Sequence, residues 1–352
     1  MQDRSSDTKK VTIKSIADAL NISFSTVSKA LNNNPVIKTE TRQLVLNKAQ
    51  EMGYTPNSLA KGLRGSSTKT IAIIFNDIEN PVLTYVFRNI AIRLGEHGYT
   101  TMIFDSQFSE ETERANILTV LSRVPDFIIL EPATLSGANL ELLQNIADKV
   151  IVQGARSPHL NSHHVYVDYA HGGYISACEL LSKGHQDCLV ITESLDFPTS
   201  REFVSGIERA FAEYGMTLAP ERVISSHASI ASGFRIMQQL WDRDKGDWSI
   251  PLTGVLTFDD NFAFGVYKAA AQHHLTIPDD ISVIGFDNNP FSEFSMPPLT
   301  TVHLPKEKMA EYHLSIIDTI LLKNRREICI YATDPVLVQR GSVKNMTGGS
   351  RE

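Results

Sequence analysis

The stretch IKSIADALNISFSTVSKALN, which runs from Ile13 to Asn32, decides the fold of the N-terminal part of the chain. Its first half carries four apolar residues at the i, i+3, i+4, i+7 spacing of one buried helical face: Ile13, Ile16, Ala17 and Leu20. A turn follows, because Asn21 tolerates the left-handed backbone conformation and Ser23 is suited to cap the next helix. The stretch therefore predicts two short helices joined at an angle, with Thr12 as the cap of the first.

The second of these helices has an apolar and a polar face. Its apolar residues are Val27, Ala30 and Leu31, and its polar residues are Ser25, Ser28, Lys29 and Asn32. Phe24 lies at the border, where it either completes the apolar core or joins the polar face. A polar outer face suits a recognition helix, whose N-terminal residues reach base edges in the major groove of DNA. Any two amphipathic helices share this spacing, so the pattern alone leaves both interpretations open.

A third helix is predicted from about Thr39 to Met52, with Gly53 just past its end. Its inward residues are Val45, Leu46, Ala49 and Met52. Three short helices around a small core make a helix-turn-helix unit. Residues 1–65 hold ten basic and five acidic residues, a net charge of +5, whereas the remainder holds 23 and 35, a net charge of −12. This distribution indicates a polyanion as the partner of the N-terminal unit only.

The segment YTPNSLAKGLRGSSTKT follows the third helix. Pro56 interrupts the helical pattern, and Asn57 is a good N-cap for a new helix. After Asn57, the residues Leu59, Ala60 and Leu63 share one face of about two helical turns. So short a helix is not stable alone, because nucleation is unfavourable. The segment is therefore either a flexible linker or a helix that forms only against a partner copy and DNA, with an apolar wedge in the minor groove.

From Lys69 onward, apolar strands alternate with amphipathic helices, which predicts parallel sheets with helices on both faces. One series runs from TIAIIF to VIVQ (residues 70–153), and a second starts at HVYV and runs to SVIGF (residues 164–286). Two series indicate two lobes with a cleft between them. Ligands of such sheets bind outside the carboxyl ends of the strands.

Polar residues follow several of these strands, where each either binds a ligand or caps the next helix. In chain order they are Asn76, Asp77, Asp105, Glu131, Asp168, Asp259, Asp260 and Asp287. With Arg156 and Arg201 nearby, they indicate a polyol site. Carboxylates accept hydrogen bonds from vicinal hydroxyls, and arginine donates them in a fork.

Signatures of enzymes and of metal sites are missing from the sequence, which has no GxGxxG, GxxxxGK[ST], GxSxG or HExxH motif. His163-His164 and His273-His274 are adjacent pairs, whose side chains point to different faces of a strand or helix. Paired acids such as Asp259-Asp260 would allow acid–base chemistry, but no residue stands out as a nucleophile or base. We therefore expect no catalytic residue, no metal and no cofactor.

The compartment is predicted from the N-terminus and the cysteines. The segment MQDRSSDTKK has no apolar run after its charges, as a secretory signal would require, and no stretch approaches the roughly 18 apolar residues that span a bilayer. Cys178, Cys188 and Cys329 are an odd number without metal-type spacing, which is typical of reduced thiols. The sequence therefore predicts a cytoplasmic protein.

Four segments together carry a family resemblance. They are residues 11–81, from VTIKSIADALN to FNDIENP, and the segments VDYAHGGYISACELLSKGH, PDDISVIGFDNNPFSEFSMPPLTTVHLP and PVLVQRGS. With them the chain resembles the LacI/GalR family of transcription regulators over nearly its whole length. The resemblance implies an all-α helix-turn-helix headpiece plus an α/β periplasmic-binding-protein-like (type I) core of two doubly wound parallel-sheet lobes. It also implies a bacterial homodimer on pseudo-palindromic operator DNA, commonly a repressor, that is controlled by a small effector.

The same resemblance divides the chain into a headpiece (1–56), a hinge helix (57–66) and an effector-binding and dimerisation core (67–352). Within the core it implies an N-lobe of about 69–165 plus 293–325 and a C-lobe of about 166–292 plus 326–342. No leucine heptads follow residue 342, so a dimer is expected rather than a tetramer.

Residue roles follow from the resemblance in the same way. It implies major-groove contacts by Phe24, Ser25, Ser28 and Lys29. Minor-groove contacts are implied for Asn57, Ala60, Lys61 and Leu63, with Leu63 as the wedge. Effector contacts are implied for Asp77, Asp105, Asp168, Asp259 and Asp287. Glu131, at a strand end, and Arg201 and Phe203, at and beside a position that departs from the family, are further candidates for effector contacts.

Two positions depart from the family pattern. Phe203 stands where the family often has an arginine that binds effector hydroxyls, and Glu193 replaces a glycine after the strand LVIT. The expected effector is a sugar or a sugar derivative. Phe203 indicates either that an aromatic ring stacks on the sugar or that the ligand is not a simple sugar.

Overall fold

A computed structural model describes residues 11–54, 67–133, 137–154, 156, 159–321 and 327–347. The chain divides into two compact units, Met1–Ser66 and Ser67–Glu352. The first corresponds to the predicted headpiece with its hinge, and the second to the predicted core.

The headpiece contains the three predicted helices, α1 (Ile13–Leu20), α2 (Phe24–Leu31) and α3 (Thr39–Glu51). Thr12 caps α1 in a capping box, in which its hydroxyl accepts a hydrogen bond from the Ser15 amide and the Ser15 hydroxyl accepts one from the Thr12 amide. Asn21 adopts the left-handed conformation with φ of 54°, and Ser23 caps α2. The turn chemistry read from the sequence is therefore confirmed.

A small apolar core holds the three helices together. Its buried residues are Ile16, Ala17, Val27, Ala30, Val45 and Ala49. Leu46, which was expected to point inward, is 42% exposed. Val45 and Ala49 lie one turn apart on the face that packs, and Leu46 is rotated away from that face by about 100°.

The core unit alternates strands and helices along its length. In chain order its elements are β1 (Thr70–Phe75), α4 (Pro81–Glu96), β2 (Thr100–Asp105), α5 (Glu110–Ser122), β3 (Phe127–Leu130), α6 (Gly137–Leu140) continued by a 3₁₀ helix (Glu141–Lys149), β4 (Val150–Gly154), β5 (His163–Val167), α7 (Tyr169–Ser182), β6 (Cys188–Thr192), α8 (Pro198–Glu213), a 3₁₀ turn (Pro220–Arg222), β7 (Val223–Ser225), α9 (Ile230–Leu240), β8 (Trp241–Asp242), β9 (Asp247–Trp248), β10 (Gly254–Thr257), α10 (Asp260–Gln272), β11 (Ser282–Asp287), β12 (Thr300–His303), α11 (Lys306–Leu321), β13 (Ile330–Thr333) and β14 (Val336–Val338).

Two six-stranded sheets form the two lobes. The first has the strand order β13-β5-β4-β3-β1-β2, and the second has the order β14-β12-β11-β10-β6-β7. All neighbouring pairs are parallel except β12 with β14. In β1, Ile71 and Ile73 pack into one apolar cluster while Ala72 and Ile74 pack into another, so both faces of the sheet are covered. The predicted doubly wound, two-lobed α/β architecture is therefore present.

Three strands lie in a different lobe from the one expected. The strand HVYV, expected to open the second series, pairs with β4 and belongs to the first sheet. Thr300–His303, inside the expected N-lobe segment 293–325, pairs with β11 in the second sheet. Ile330–Thr333, inside the expected C-lobe segment 326–342, pairs with β5 in the first. A short apolar strand looks the same in either sheet, so its pattern carries no information about the partner strand.

The chain consequently passes between the lobes three times, after β5, after β12 and after β13. Helix α11 packs against α4 of the first lobe, as the expected boundaries require. None of the helices in the described ranges combines the length and the hydropathy of a membrane span.

Candidate functional site

The outer face of α2 is the first candidate site. Phe24 is 48% exposed and does not belong to the headpiece core, so the alternative in which it completes that core is wrong. Ser25 and Lys29 are exposed on the same helix, and Ser28 is half-buried. All four residues expected to read the major groove are thus accessible to a partner. The expected minor-groove residues lie outside the described part of the chain: Asn57, Ala60, Lys61 and Leu63.

The second candidate site is a cavity between the lobes of the core, at the carboxyl ends of the strands. The first lobe lines it with Asn76, Asp77, Asn80, Phe108, Glu131 and Gln153, and the second lobe with Tyr169, Glu193, Phe197, Phe258, Asp259 and Asp287. Four of the eight residues expected to bind the effector meet there: Asp77, Glu131, Asp259 and Asp287. The strand-end rule therefore located the cavity.

Asp259 and Asp287 lie together on the second lobe, and their carboxyl groups share a hydrogen bond. Burial raises the pKa of Asp259 to about 6, and burial together with the charge of Asp259 raises the pKa of Asp287 well above its usual range. Asn80 of the first lobe donates a hydrogen bond to Asp287 Oδ2 at 3.1 Å, which ties the lobes together across the cavity.

The backbone of Asp287 is strained, with φ of +99° at a residue other than glycine. Such a conformation costs on the order of 1–3 kcal/mol and persists only where the surroundings impose it, typically at functional sites. Here the side chain is held by Asn80 and Asp259 at the end of the fully buried strand β11. The Asp287 carboxyl group lines the cavity at this strained position.

The other acidic residues also resist ionisation. Burial and the charge of Asp77 raise the pKa of Glu131 to about 8. Burial and the charges of Asp259, Glu131 and Asp77 raise the pKa of Glu193 well above its usual range. Burial raises the pKa of Asp77 as well. These carboxyl groups are desolvated and face one another without a neutralising base among the described lining residues.

Several polar atoms of the lining have no hydrogen-bond partner among the described residues. Gln153 is fully buried, and neither its Oε1 nor its Nε2 is paired; Glu131 Oε2 and Asn76 Oδ1 are unpaired as well. Leaving a buried polar group unpaired costs about 1–3 kcal/mol. Unpaired donors and acceptors around one cavity indicate a place for a polar ligand.

Aromatic rings complete the walls. Tyr169 and Phe258 line the cavity with ring centroids 5.6 Å apart. Phe108, from the loop after β2, contacts two rings of the other lobe, with centroids 5.3 Å from Phe197 and 5.4 Å from His227. The rim of the cavity is therefore closed by an aromatic contact between the lobes.

Four residues expected in the effector site do not line this cavity. Asp168 is 2.7 Å from the His171 amide and caps α7, and Asp105 accepts a hydrogen bond from the Gln107 amide. Both strand-end carboxylates thus serve local backbone groups.

Arg201 and Phe203 depart from expectation for other reasons. The Arg201 guanidinium donates hydrogen bonds to the carbonyl oxygens of Leu195 and Asp196, on its own loop. Phe203 is fully buried, with its ring edge-on to those of Phe258 and Phe286, so it cannot stack on a ligand. It supports the cavity wall from behind.

Other lining residues were not assigned from the sequence. Gln153 is the penultimate residue of the strand VIVQG and Phe258 follows GVLT, so the strand-end rule could have found both. Glu193 was noticed only as a departure from the family pattern. Phe108 and Phe197 lie in loops, where nothing in the sequence signals that they meet. Among the described residues no cluster of histidine, cysteine or acidic side chains could hold a metal ion.

Comparison with known proteins places the chain in a family. Residues 12–57 match the model of bacterial regulatory proteins of the lacI family, and residues 177–343 match that of a periplasmic binding protein-like domain. The HTH-type transcriptional regulator DegA of Bacillus subtilis is 33% identical over 308 residues, which cover 86% of this chain and 90% of that protein. The chain belongs to the LacI family of bacterial regulatory proteins. It is a DNA-binding transcriptional regulator with an effector-binding core, and not an enzyme.

Other proteins are similar to the chain in sequence or in fold. The transcriptional repressor PurR of Pasteurella multocida is 28% identical over 335 residues, 95% of this chain and 99% of that protein. The lac repressor dimer bound to operator and the anti-inducer ONPF superimposes with a TM-score of 0.77 at 20% identity, covering 96% and 100% of the two chains. A LacI-family regulator from Enterococcus faecium with bound ribose has a TM-score of 0.68 at 24% identity, covering 79% and 99%.

Proposed function

We propose that this LacI-family regulator is a repressor that binds pseudo-palindromic operator DNA as a homodimer in the bacterial cytoplasm, at the nucleoid. The observation that carries the proposal is the exposed face of α2, where Phe24, Ser25 and Lys29 project from a capped helix-turn-helix. The N-terminal residues of such a helix contact base edges in the major groove. Residues 57–66 act as the hinge between headpiece and core, with Leu63 as the minor-groove wedge.

The dimer uses an exposed apolar patch of the second lobe. Phe291, Phe294 and Met296 are 69%, 77% and 91% exposed, in the loop between β11 and β12. Neighbouring apolar side chains this exposed are unfavourable in water, and a second copy would cover them. Two copies would then present their α2 helices to two half-sites of one operator.

The effector is a sugar or a sugar derivative that binds in the cavity between the lobes. Asp77, Glu131, Asp259 and Asp287 offer acceptors for hydroxyl groups, and Tyr169 and Phe258 offer apolar ring faces. The related regulator with bound ribose supports a ligand of this class.

Effector binding controls DNA affinity through closure of the lobes. The hydrogen bond from Asn80 to Asp287 and the contact of Phe108 with Phe197 join the lobes at the cavity. A ligand that contacts both lobes binds the closed arrangement more tightly than the open one, and this difference in affinity shifts the equilibrium toward closure. Closure changes the spacing of the two hinge segments in the dimer, and with it the affinity for the operator.

The test is selection of operator sequences from a random duplex library with the full-length protein. Lys29→Ala is expected to relax preference at one base position in each half-site and to weaken binding of the selected duplex by about 1–3 kcal/mol. Lys48→Ala is the matched control, because Lys48 belongs to α3 of the same unit and is paired with Glu51 at 2.7 Å. Selection of no sequence would refute the function. An equal loss for every duplex would assign Lys29 to a phosphate.

A further inference from the structure

Acidic side chains line the effector cavity, and no lysine, arginine or histidine is among its described lining residues. The five carboxyl groups belong to Asp77, Glu131, Glu193, Asp259 and Asp287. Of the arginines near the lobes, Arg201 is engaged with two backbone carbonyls, and Arg156 lines a separate pocket with His164. His227 contacts Phe108 at the rim and lines an adjoining pocket with Glu193, and its charge partly offsets the rise that burial causes in the pKa of Asp77. Within the cavity itself, a cationic ligand would supply the positive charge that the described lining lacks.

We propose that the effector carries a protonated nitrogen, as an amino sugar or an amine-bearing polyol does, and that the five carboxyl groups select it over neutral and anionic sugars. The proposal rests on the proposed function, and it names the ligand class of the same cavity. A hydrogen bond with an ionised partner is about twice as strong as one between neutral partners, and a cationic N–H group adds Coulomb attraction to a carboxylate. A desolvated cavity strengthens that interaction further, because the local dielectric is low.

The unpaired buried atoms point to the same class of ligand. Gln153 is fully buried in the lining, and within the described part of the chain neither its carbonyl nor its amide group has a hydrogen-bond partner, nor has Glu131 Oε2. An ammonium group has three donors and no acceptor, so it could pair with Glu131 and with the Gln153 carbonyl together. The Gln153 amide would then donate to a ligand hydroxyl. A ligand with both an ammonium group and hydroxyls satisfies all three.

The cavity walls suit a cation as well. Tyr169, Phe258, Phe108 and Phe197 contribute aromatic rings, whose negative faces attract a nearby cation. A phosphate or carboxylate ligand would instead be buried where no lysine or arginine among the described lining residues could neutralise its charge. Burying such an unpaired charge is unfavourable.

The ionisation of the acidic groups supports the proposal. Without a ligand, burial and mutual repulsion keep the pKa of Glu131 at about 8 and the pKa of Glu193 well above its usual range. In the free cavity these two carboxyl groups therefore retain their protons, which an incoming cation would displace. A neutral sugar carries no charge that could compensate the resulting carboxylates.

The experiment measures binding of matched ligand pairs to the full-length protein by thermal shift and calorimetry at constant ionic strength. The pairs are D-glucosamine and D-glucose, D-galactosamine and D-galactose, 1-amino-1-deoxy-D-glucitol and D-glucitol, and ethanolamine and ethylene glycol. Glucose 6-phosphate and calcium chloride alone are the anionic and metal probes. In at least one pair the amine should bind roughly tenfold or more tightly than its neutral partner, since one charge-assisted contact contributes about that factor.

Variants separate the cavity from general charge effects. Asp77→Asn and Glu193→Gln should each weaken amine binding about tenfold or more, because each removes one carboxylate from the lining. Asp244→Asn is the matched control, because Asp244 is an exposed carboxylate in the turn between β8 and β9. It should leave amine binding unchanged.

Several results would overturn the inference. They are an absence of binding by every amine, tighter binding of a neutral or phosphorylated partner, stabilisation by calcium equal to that by the amines, or an equal effect of Asp244→Asn. Selection of operator sequences from the random duplex library distinguishes a wrong ligand class from a wrong function. If the protein selects and binds a duplex but no amine binds to it, only the proposed ligand class is wrong. If it selects no duplex, the proposed regulator function is wrong.

Discussion

Replacement of Glu131 by glutamine should remove one contribution to the pH dependence of the stability of the core. Glu131 follows β3, lines the cavity and accepts a hydrogen bond from the Asn76 backbone. Burial and the neighbouring charge of Asp77 raise its pKa from 4.5 to about 8. Glutamine has nearly the same shape, keeps an acceptor for the Asn76 amide and cannot ionise. The change therefore isolates the ionisation of one side chain.

The sign and size of the effect follow from linkage. The folded protein holds the Glu131 proton more tightly than the unfolded chain, so stability is greatest at low pH and falls as the pH rises from about 4.5 to about 8. The two pKa values give a penalty of about 1 kcal/mol at pH 5 and about 4 kcal/mol at pH 7.5. Glu131→Gln lacks this penalty. Relative to wild type, it should gain about 3 kcal/mol between these two pH values.

The assay is urea unfolding of the wild-type and variant proteins, followed by circular dichroism at both pH values without ligand. Asp244→Asn serves again as the control, because an exposed carboxylate should leave the pH dependence unchanged. Parallel pH profiles for wild type and Glu131→Gln would refute the reasoning. They would mean that the Glu131 carboxyl group ionises as freely in the folded protein as in the unfolded chain.

Two further substitutions test the packing around the site. A Cβ atom at Gly206 would lie 1.9 Å from the Ala170 carbonyl oxygen, so Gly206→Ala should force α7 and α8 apart and cost about 1–3 kcal/mol or more in urea unfolding. Gly95→Ala on α4 is the control, because its added Cβ atom would contact nothing within 4 Å, and it should be neutral or stabilising. Equal losses of stability in both variants would contradict the close approach of α7 and α8 at Gly206. Phe108→Ala removes the ring that contacts Phe197 across the rim, and should therefore increase the radius of gyration of the ligand-free protein in X-ray scattering. An unchanged scattering profile would show that this contact does not hold the lobes closed.

Local signals in the sequence predicted the headpiece well. The spacing of Ile16 and Ala17, the caps Thr12 and Ser23 and the left-handed Asn21 act over a few residues, so they can be read without knowledge of tertiary contacts. The outward position of Phe24 was left open because a helical wheel does not determine how far the small core extends. Its exposure became evident only from the packed helices.

The lining of the cavity was predicted in part. The strand-end rule selected Asp77, Glu131, Asp259 and Asp287, which line it, because the rule depends on the direction of each strand and not on its neighbours. It also selected Asp105 and Asp168, which do not line it. Capping does not separate the two groups, because Asp259 also accepts a hydrogen bond from a nearby backbone amide.

The two departures from the family pattern have different positions in the structure. Glu193 adds a carboxyl group to the cavity lining. Phe203 is fully buried behind the wall, with its ring edge-on to Phe258, and does not line the cavity. The sequence could not separate the two, because only the fold determines which side chain faces the cavity.

The assignment of β13 and β14 to different sheets bears on how the protein is made. These strands are separated by two residues near the C-terminus, and each forms the edge of one lobe. The first sheet cannot be completed on the ribosome until residues 330–333 have been translated, nor the second until residues 336–338 have been. The headpiece, whose core lies within residues 11–54, can fold long before that point. A nascent chain can therefore contain a folded helix-turn-helix headpiece before either lobe of the regulatory core is complete.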